Sequence, residues 1–247
     1  MQVVAYKTSK IQPKDNLYKI LDDYLPKLEE KSIVVVTSKI VSLCEGSVLK
    51  DDGSISKEKL VHKEADYYLG DDYPTAYGHI ITLKNNILIL SAGIDESNTG
   101  GYFVLWPKNV QKTANEIWQY LKDKYALSHV GVIITDSHTV PLRWGIIGTG
   151  LAWCGFQQSN SYVGKPDVFG RPLQSSFGSM IEGLSAAAVA VMGEGAEQTP
   201  LAVINDIPFV TFQDHEPTSA ELKAMQIDRK DDIYGPLLNS VKWEKGG

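Results

Sequence analysis

Two acidic segments of the sequence each follow an apolar, strand-like run. Residues 88–94 lead into Asp95, and residues 132–135 lead into Asp136 and Ser137. Hard cations such as Mg²⁺ and Mn²⁺ prefer oxygen ligands, usually one or two carboxylates together with hydroxyls, water and substrate phosphates. The two segments therefore predict a divalent-metal site where two strands end. Simple turn capping by the same two aspartates fits the spacing as well and stays open as an alternative.

A third acidic segment, residues 192–199 (MGEGAEQT), follows an alanine-rich stretch that predicts a helix over 178–191. Its glycines would let the backbone approach a phosphate closely, and its carboxylates could complete a metal site. The alternative is a glycine stop at the C-terminus of the helix with acids that face solvent.

The sequence contains no Walker signature and no GxGxxG after a strand, so a nucleotide would be held in another way. Residues 8–10 and 37–39 both read Thr-Ser-Lys and offer hydroxyls, backbone amides and an ammonium for phosphate. Arg143 and Arg171 stand in predicted loops beside proline or glycine and suit bidentate recognition of anions. Exposed surface positions explain all four features equally well.

Other residue types exclude several classes of function. The five histidines form no HExxH motif or His/Cys cluster, which disfavours zinc catalysis. Cys44 and Cys154 lie far apart with no CxxC spacing, so we expect no disulfide and a reducing cytoplasmic location. The formal net charge of -6 argues against a general nucleic-acid binder. We expect no membrane partner either, because no cationic leader and no apolar run of spanning length occur.

Hydrophobic periodicity predicts the elements that must position these residues. Asp15 is predicted to cap the first helix, strand 32–38 to end in a polar turn at 37–39, and residues 84–86 to join a hairpin. The predicted strands cover residues 3–6, 32–38, 79–83, 87–91, 130–135, 145–155 and 201–205, and the predicted helices cover 17–28, 56–68, 109–125 and 178–191.

Strands outnumber the confident crossover helices, and several strands are placed to pair locally. This pattern favours an α+β fold with mixed, largely antiparallel sheets and flanking helices over a doubly wound parallel sheet. We expect residues 1–247 to form one domain, with two intimately packed lobes as the alternative.

Five segments together resemble the coenzyme F(420)-0:L-glutamate ligase family, the gamma-glutamyl ligases of deazaflavin coenzyme biosynthesis. They are TSKIVSLCEG (37–46), AGIDESN (92–98), VIITDS (132–137), GKPDVFGRPL (164–173) and MGEGAEQTP (192–200). The resemblance implies the fold of that family and a homodimer. It also implies GTP-dependent formation of an amide between L-glutamate and a small carboxylate acceptor, either coenzyme F(420)-0 or a folate, through an acyl phosphate.

The resemblance also implies roles for individual residues. Asp95 and Asp136 would act in catalysis by holding one divalent ion, Mg²⁺ or Mn²⁺, and Ser137 and Glu194 would hold a second. The implied GTP pocket consists of Thr8, Ser9, Lys10, Ile11, Thr37, Ser38, Asn98, Met192, Gly193, Glu194, Gly195, Ala196, Glu197, Gln198 and Thr199.

The chain departs from the family pattern in four places. Residues 7–11 read KTSKI where the family usually shows a leucine-proline pair, and Leu43 stands where many members carry a nucleotide-binding lysine. Residues 99–107 and 144–156 are rich in aromatic side chains and resemble a bacterial branch proposed to glutamylate folates. Two other functions fit the same residues: a nucleotide- or metal-binding protein without ligase activity, and a two-metal phosphohydrolase.

Overall fold

The computed structural model describes residues 1–247 and contains strands β1–β13 and α-helices α1–α7. The strands are β1 Gln2–Tyr6, β2 Ser32–Thr37, β3 Val48–Lys50, β4 Tyr67–Leu69, β5 Ile81–Lys84, β6 Ile87–Leu90, β7 Tyr102–Val104, β8 Val130–Thr139, β9 Ile146–Cys154, β10 Ser159–Ser161, β11 Phe177–Ser179, β12 Leu201–Asn205 and β13 Trp243–Lys245. The helices are α1 Leu17–Tyr24, α2 Ser38–Glu45, α3 Lys57–Glu64, α4 Val110–Tyr125, α5 Met180–Met192, α6 Ser219–Met225 and α7 Gly235–Leu238.

Two sheets dominate the fold. The larger has the order β1-β12-β2-β8-β9, in which only β2 and β8 run parallel. The smaller has the order β13-β4-β5-β6 and is antiparallel throughout. Two short antiparallel ribbons, β3-β7 and β10-β11, complete the architecture. The α+β fold with largely antiparallel sheets is therefore confirmed.

The central strand β2 is buried on both faces, as its unbroken apolar run predicts. Val34 and Val36 pack in a cluster with side chains of α1, α2 and α4. Ile33 and Val35 point the other way, into a cluster with side chains of α5. The alternation of side chains along a strand thus joins both helical layers to one sheet.

Glycines on β9 allow α5 to lie directly against the sheet. A Cβ added at Gly148 would come within 2.3 Å of the Ser185 carbonyl oxygen, and one at Gly150 within 2.3 Å of the Ile181 side chain. The close backbone approach expected of this glycine-rich strand is therefore present. It fixes α5 against β9, and so limits where the acidic segment after α5 can lie.

Several predicted boundaries need correction. Asn16, not Asp15, caps α1, because its side chain accepts a hydrogen bond from the backbone N–H of Lys19 at 3.0 Å. The turn predicted at 37–39 is the start of α2, whose eight residues are too few to show a clear helical period.

The predicted helix 56–68 and the predicted helix 178–191 were each too long at one end. The first stops at Glu64, and the chain then enters β4. The second begins only at Met180, because residues 177–179 pair with β10. The hairpin predicted at 84–86 is confirmed, with Asn85 and Asn86 both at positive φ between β5 and β6.

Neither cysteine is in a disulfide, which agrees with their spacing in the sequence. Cys154 is buried and Cys44 is partly buried. The longest helix, α4, has 16 residues, and no helix combines the length and apolarity that a membrane crossing requires.

Candidate active site

A cleft of about 830 Å³ lies between the C-terminal end of β2, the C-terminal half of β8 and the segment after α5. Every residue to which the family resemblance assigned a role lines it. These are Thr8, Ser9, Lys10, Ile11, Thr37, Ser38, Asp95, Asn98, Asp136, Ser137, Met192, Gly193, Glu194, Gly195, Ala196, Glu197, Gln198 and Thr199.

The parallel pairing of β2 with β8 brings two polar segments to one edge of the sheet. Thr37 is paired with Thr135, so the first residues of α2 lie beside Asp136 and Ser137. Parallel strands end at the same edge, which is the usual position of ligand sites in such sheets. Two segments that are nearly 100 residues apart in sequence therefore meet in the cleft.

The sequence suggested that Asp136 directly follows the end of a strand. In the structure it lies within β8. The pairing of β8 with β9 shifts between Ile134 and Thr135, and the strand continues to Thr139. A β-bulge of this kind redirects the side chains that follow it and is frequent next to active sites. The Asp136 carboxylate accepts hydrogen bonds from the indole N–H of Trp106 and, at 2.9 Å, from the backbone N–H of Ser137.

Asp95 also lies slightly away from its predicted place. A short 3₁₀ turn, Ser91–Gly93, separates it from β6. Its backbone is fixed by two hydrogen bonds with Val104, of 3.0 and 2.9 Å. Its Oδ1 accepts from the backbone N–H of Ser97 at 2.7 Å and from the Ser97 hydroxyl at 2.8 Å, which is the turn-capping role that the sequence left open. Capping uses only Oδ1, so it does not exclude a second role for this carboxylate.

The third acidic segment is hydrogen-bonded to two other loops that line the cleft, one after β1 and one before β7. The backbone N–H of Thr8 donates to the Gln198 carbonyl at 2.8 Å, and the Asn98 side chain donates to the Gly195 carbonyl at 2.9 Å. Gly193 ends α5 at positive φ, as the glycine-stop alternative proposed. Glu197 turns back to accept from the backbone N–H of Gly195 at 2.8 Å and so stabilises the loop itself.

Lys39 is the nearest cation to these acids. Its ammonium lies 2.6 Å from Asp95 Oδ2 and donates to the Ser97 carbonyl at 3.1 Å. Burial alone would raise the pKa of Asp95, but the charge and hydrogen bond of Lys39, aided by Ser97, outweigh it and lower that pKa. Asp95 is therefore ionised throughout the neutral range.

Asp136 and Glu194 are shifted in the opposite direction. Burial raises the pKa of Asp136 to about 6, and the Trp106 hydrogen bond only partly opposes this. Burial and then the charge of Asp136 raise the pKa of Glu194, while the charge of Lys39 and the Ser137 hydroxyl partly oppose the rise. Three mutually repelling carboxylates with one lysine form an excess of negative charge, which a bound cation would neutralise.

The donor set is of the right chemistry for Mg²⁺ or Mn²⁺, since it consists of carboxylate and hydroxyl oxygens. However, no group of three or more His, Cys, Asp or Glu side chains is gathered closely enough to hold an ion by itself. Mg²⁺ is commonly bound by only one or two carboxylates plus substrate phosphates, so the arrangement fits a cation that arrives with a nucleotide. The metal roles of Asp95, Asp136, Ser137 and Glu194 stay predictions.

Two contacts in the site were not predicted from the sequence, and two residues predicted to bind anions lie outside the cleft. The Lys39–Asp95 ion pair and the Trp106–Asp136 hydrogen bond join residues far apart in sequence and left no local signal. Arg143 and Arg171, proposed as anion-binding residues, do not line the cleft. They lie beyond it, in the loops between β8 and β9 and between β10 and β11.

Comparison of the sequence with known proteins identifies the family of the chain. Residues 5–206 match the family described as F420-0:Gamma-glutamyl ligase. A coenzyme F420:L-glutamate ligase of Methanococcus maripaludis strain C7 is 32% identical over 200 residues, which covers 76% of this chain and 80% of that protein. A protein of the same description from Methanopyrus kandleri is 26% identical, and the match covers 80% of this chain and 83% of that protein. Another from Methanocaldococcus jannaschii is 28% identical, and the match covers 78% of this chain and 83% of that protein. The chain belongs to the F420-0:gamma-glutamyl ligase family and is an amide-bond-forming ligase.

Proposed function

We propose that the protein is a GTP- and divalent-metal-dependent gamma-glutamyl ligase that joins L-glutamate to a small carboxylate acceptor, coenzyme F(420)-0 or a folate. The observation that carries this proposal is the convergence of three acidic segments and two Thr-Ser-Lys segments on one cleft of about 830 Å³. Family membership supplies the class of reaction. The hydroxyl, ammonium and carboxylate groups that line the cleft are of the kinds that bind a triphosphate and its cations, which supports the proposal.

The chemical problem is that a carboxylate is a poor electrophile. In the proposed reaction the acceptor carboxylate attacks the γ-phosphorus of GTP, which forms an acyl phosphate and releases GDP. The neutral amine of glutamate then attacks the carbonyl carbon, the C–O bond to phosphate breaks, and the amine loses a proton as the amide forms. A bound Mg²⁺ or Mn²⁺ would neutralise the charge that develops on the phosphate oxygens.

The residues of the chain act by position and charge. Thr37 and Ser38, at the start of α2, offer hydroxyl groups and helix N-terminal amides to phosphate oxygens. Lys39 adds an ammonium within the same cleft. Asp95 and Asp136 would hold one cation, and Ser137 with Glu194 a second. The fixed loops reduce the reorganisation required at the moment of reaction.

The direct test is a turnover assay with coenzyme F(420)-0 and a folate as parallel acceptors. We expect release of GDP that depends on glutamate, on acceptor and on Mg²⁺ or Mn²⁺, and a product heavier by one glutamyl unit in mass spectrometry. Parallel reactions with ATP establish the preferred base. Phosphate release without glutamate would favour the two-metal phosphohydrolase. Nucleotide binding with no phosphate release for any acceptor would favour the binding protein without ligase activity.

We also propose that the protein is a cytoplasmic homodimer. The loop between β8 and β9 exposes Leu142 (99%) and Trp144 (93%), and the loop between β10 and β11 exposes Val168 and Phe169. Exposed apolar side chains that occur together in one loop are frequent at protein interfaces. Because β8 also carries Asp136, a partner at this loop would border the cleft.

Replacement of Trp144 by aspartate is expected to convert the dimer to a monomer, because it places a charge in the apolar contact. Light scattering after size-exclusion chromatography measures the change in mass. Tyr77→Asp is the matched control, since Tyr77 is 83% exposed in a different part of the chain and should leave the mass unchanged. A wild-type protein that is monomeric at every concentration would refute the dimer.

A further inference from the structure

Trp106 is a buried residue that the proposed reaction does not use, yet it contacts the site directly. It is only 5% exposed, and its indole N–H donates to Asp136 Oδ2. The backbone N–H of Ser137 donates to Asp136 Oδ1 at 2.9 Å. The carboxylate is thus held at both oxygens, and each oxygen keeps a lone pair for another partner.

The missing side chain of Gly93 leaves space for the indole of Trp106. A Cβ added at Gly93 would lie 2.1 Å from Nε1 of Trp106, and Gly93 has a φ of +70°. Any other residue there would displace the ring edge that carries the N–H. Gly93 lies two residues before Asp95, so the same turn positions one aspartate and makes room for the donor to the other.

A cation also lies over the indole ring. The ammonium of Lys84 lies 5.6 Å from the centre of the Trp106 ring, within the range of a cation–π interaction. Lys84 is 8% exposed and is held in turn by Glu64 at 2.9 Å. The indole is therefore held by a partly buried ion pair over its ring and by the close approach of Gly93 at its N–H edge.

We propose that Trp106 is a positioning residue, which holds the Asp136 carboxylate in the orientation that binds a divalent cation. The inference rests on the proposed function, in which Asp136 is a metal ligand. Partners that donate hydrogen bonds to ligating carboxylates orient them, and their loss commonly lowers metal affinity or activity by about 10- to 100-fold.

Trp106→Phe tests the inference because it removes the N–H and retains an aromatic ring. Trp118→Phe is the matched control. Trp118 is 3% exposed, its N–H donates to the Val130 carbonyl at 2.9 Å, and Lys122 lies 4.7 Å from its ring centre, but its N–H contacts no carboxylate of the site. Both variants lose the same kind of bond and create a similar cavity.

The readout is the dissociation constant of Mn²⁺, measured by calorimetry on the full chain with a non-hydrolysable GTP analogue and without acceptor, together with the unfolding temperature. We expect Mn²⁺ binding to weaken by about 10- to 100-fold in Trp106→Phe and to change less than twofold in Trp118→Phe. An unchanged dissociation constant in folded Trp106→Phe would overturn the inference. If that variant does not fold, 3-benzothienylalanine at position 106 gives the same test, since it replaces only the N–H by sulfur.

The outcomes separate this inference from the proposed function. A wild-type protein that binds Mn²⁺ but has no glutamate-dependent turnover would refute the ligase mechanism, while the comparison of dissociation constants would still decide the role of Trp106. A wild-type protein that binds no Mn²⁺, with or without GTP, would overturn both.

Discussion

Asp136→Asn is expected to reduce glutamate-dependent GDP release by at least about 100-fold, because loss of a charged metal ligand removes several kcal/mol of transition-state stabilisation. The substitution keeps the size of the side chain and removes its charge. Steady-state turnover at saturating Mg²⁺ measures the effect. A well-folded Asp136→Asn protein with wild-type turnover would contradict the assignment.

The stability of the wild-type protein relative to Asp136→Asn is also expected to depend on pH. Burial raises the pKa of Asp136 from 3.8 to about 6. A carboxyl whose pKa is higher in the folded protein stabilises the fold while it is protonated, and this stabilisation is lost as the pH rises through the folded-state pKa. Metal-free wild-type protein should therefore lose stability relative to Asp136→Asn between about pH 4 and pH 7, by roughly 3 kcal/mol. Parallel urea-unfolding curves of the two proteins with chelator measure this difference, which would be absent if Asp136 were solvated.

Asp95→Asn is the second substitution with a large expected effect. It removes a carboxylate that is paired with Lys39 at 2.6 Å and lines the cleft beside Asn98. We expect a loss of turnover of at least about 100-fold for the same reason as at Asp136. The unfolding temperature should change little, because an ion pair that is partly exposed contributes little to stability.

Glu96→Gln is the matched control for Asp95→Asn. Glu96 is the neighbouring acid and also pairs with a lysine, Lys57, at 3.2 Å, but it does not line the cleft. Its turnover should remain within twofold of wild type. Equal losses in both variants would show that charge anywhere in this turn matters, and would remove the special role of Asp95.

The parts of the fold that follow from local chemistry were predictable. The apolar run of β2 predicted a buried strand, and Asn85-Asn86 predicted a tight hairpin through their tolerance of positive φ. Helix α2, which begins after residue 37, was not predictable, because it has only eight residues and depends on packing against the sheet. Strand β13 was missed as well, since it pairs with β4 from the opposite end of the chain.

The membership of the site was predictable from the resemblance, but its geometry was not. The segments that line the cleft were each recognisable in the sequence. Their arrangement depends on the parallel register of β2 with β8, which joins Thr37 to Thr135, and on the bulge that places Asp136 inside a strand. The partners Lys39 and Trp106 emerged only from tertiary contacts.

The central claim is that Asp95 and Asp136 share one divalent cation beside a bound triphosphate. The most direct measurement is anomalous diffraction from crystals grown with Mn²⁺ and a non-hydrolysable GTP analogue. We predict a manganese peak within coordination distance, about 2 Å, of a carboxylate oxygen of both aspartates and of the analogue's phosphates. A nucleotide bound in the cleft with Lys39 still paired to Asp95, and no manganese near either aspartate, would contradict the account.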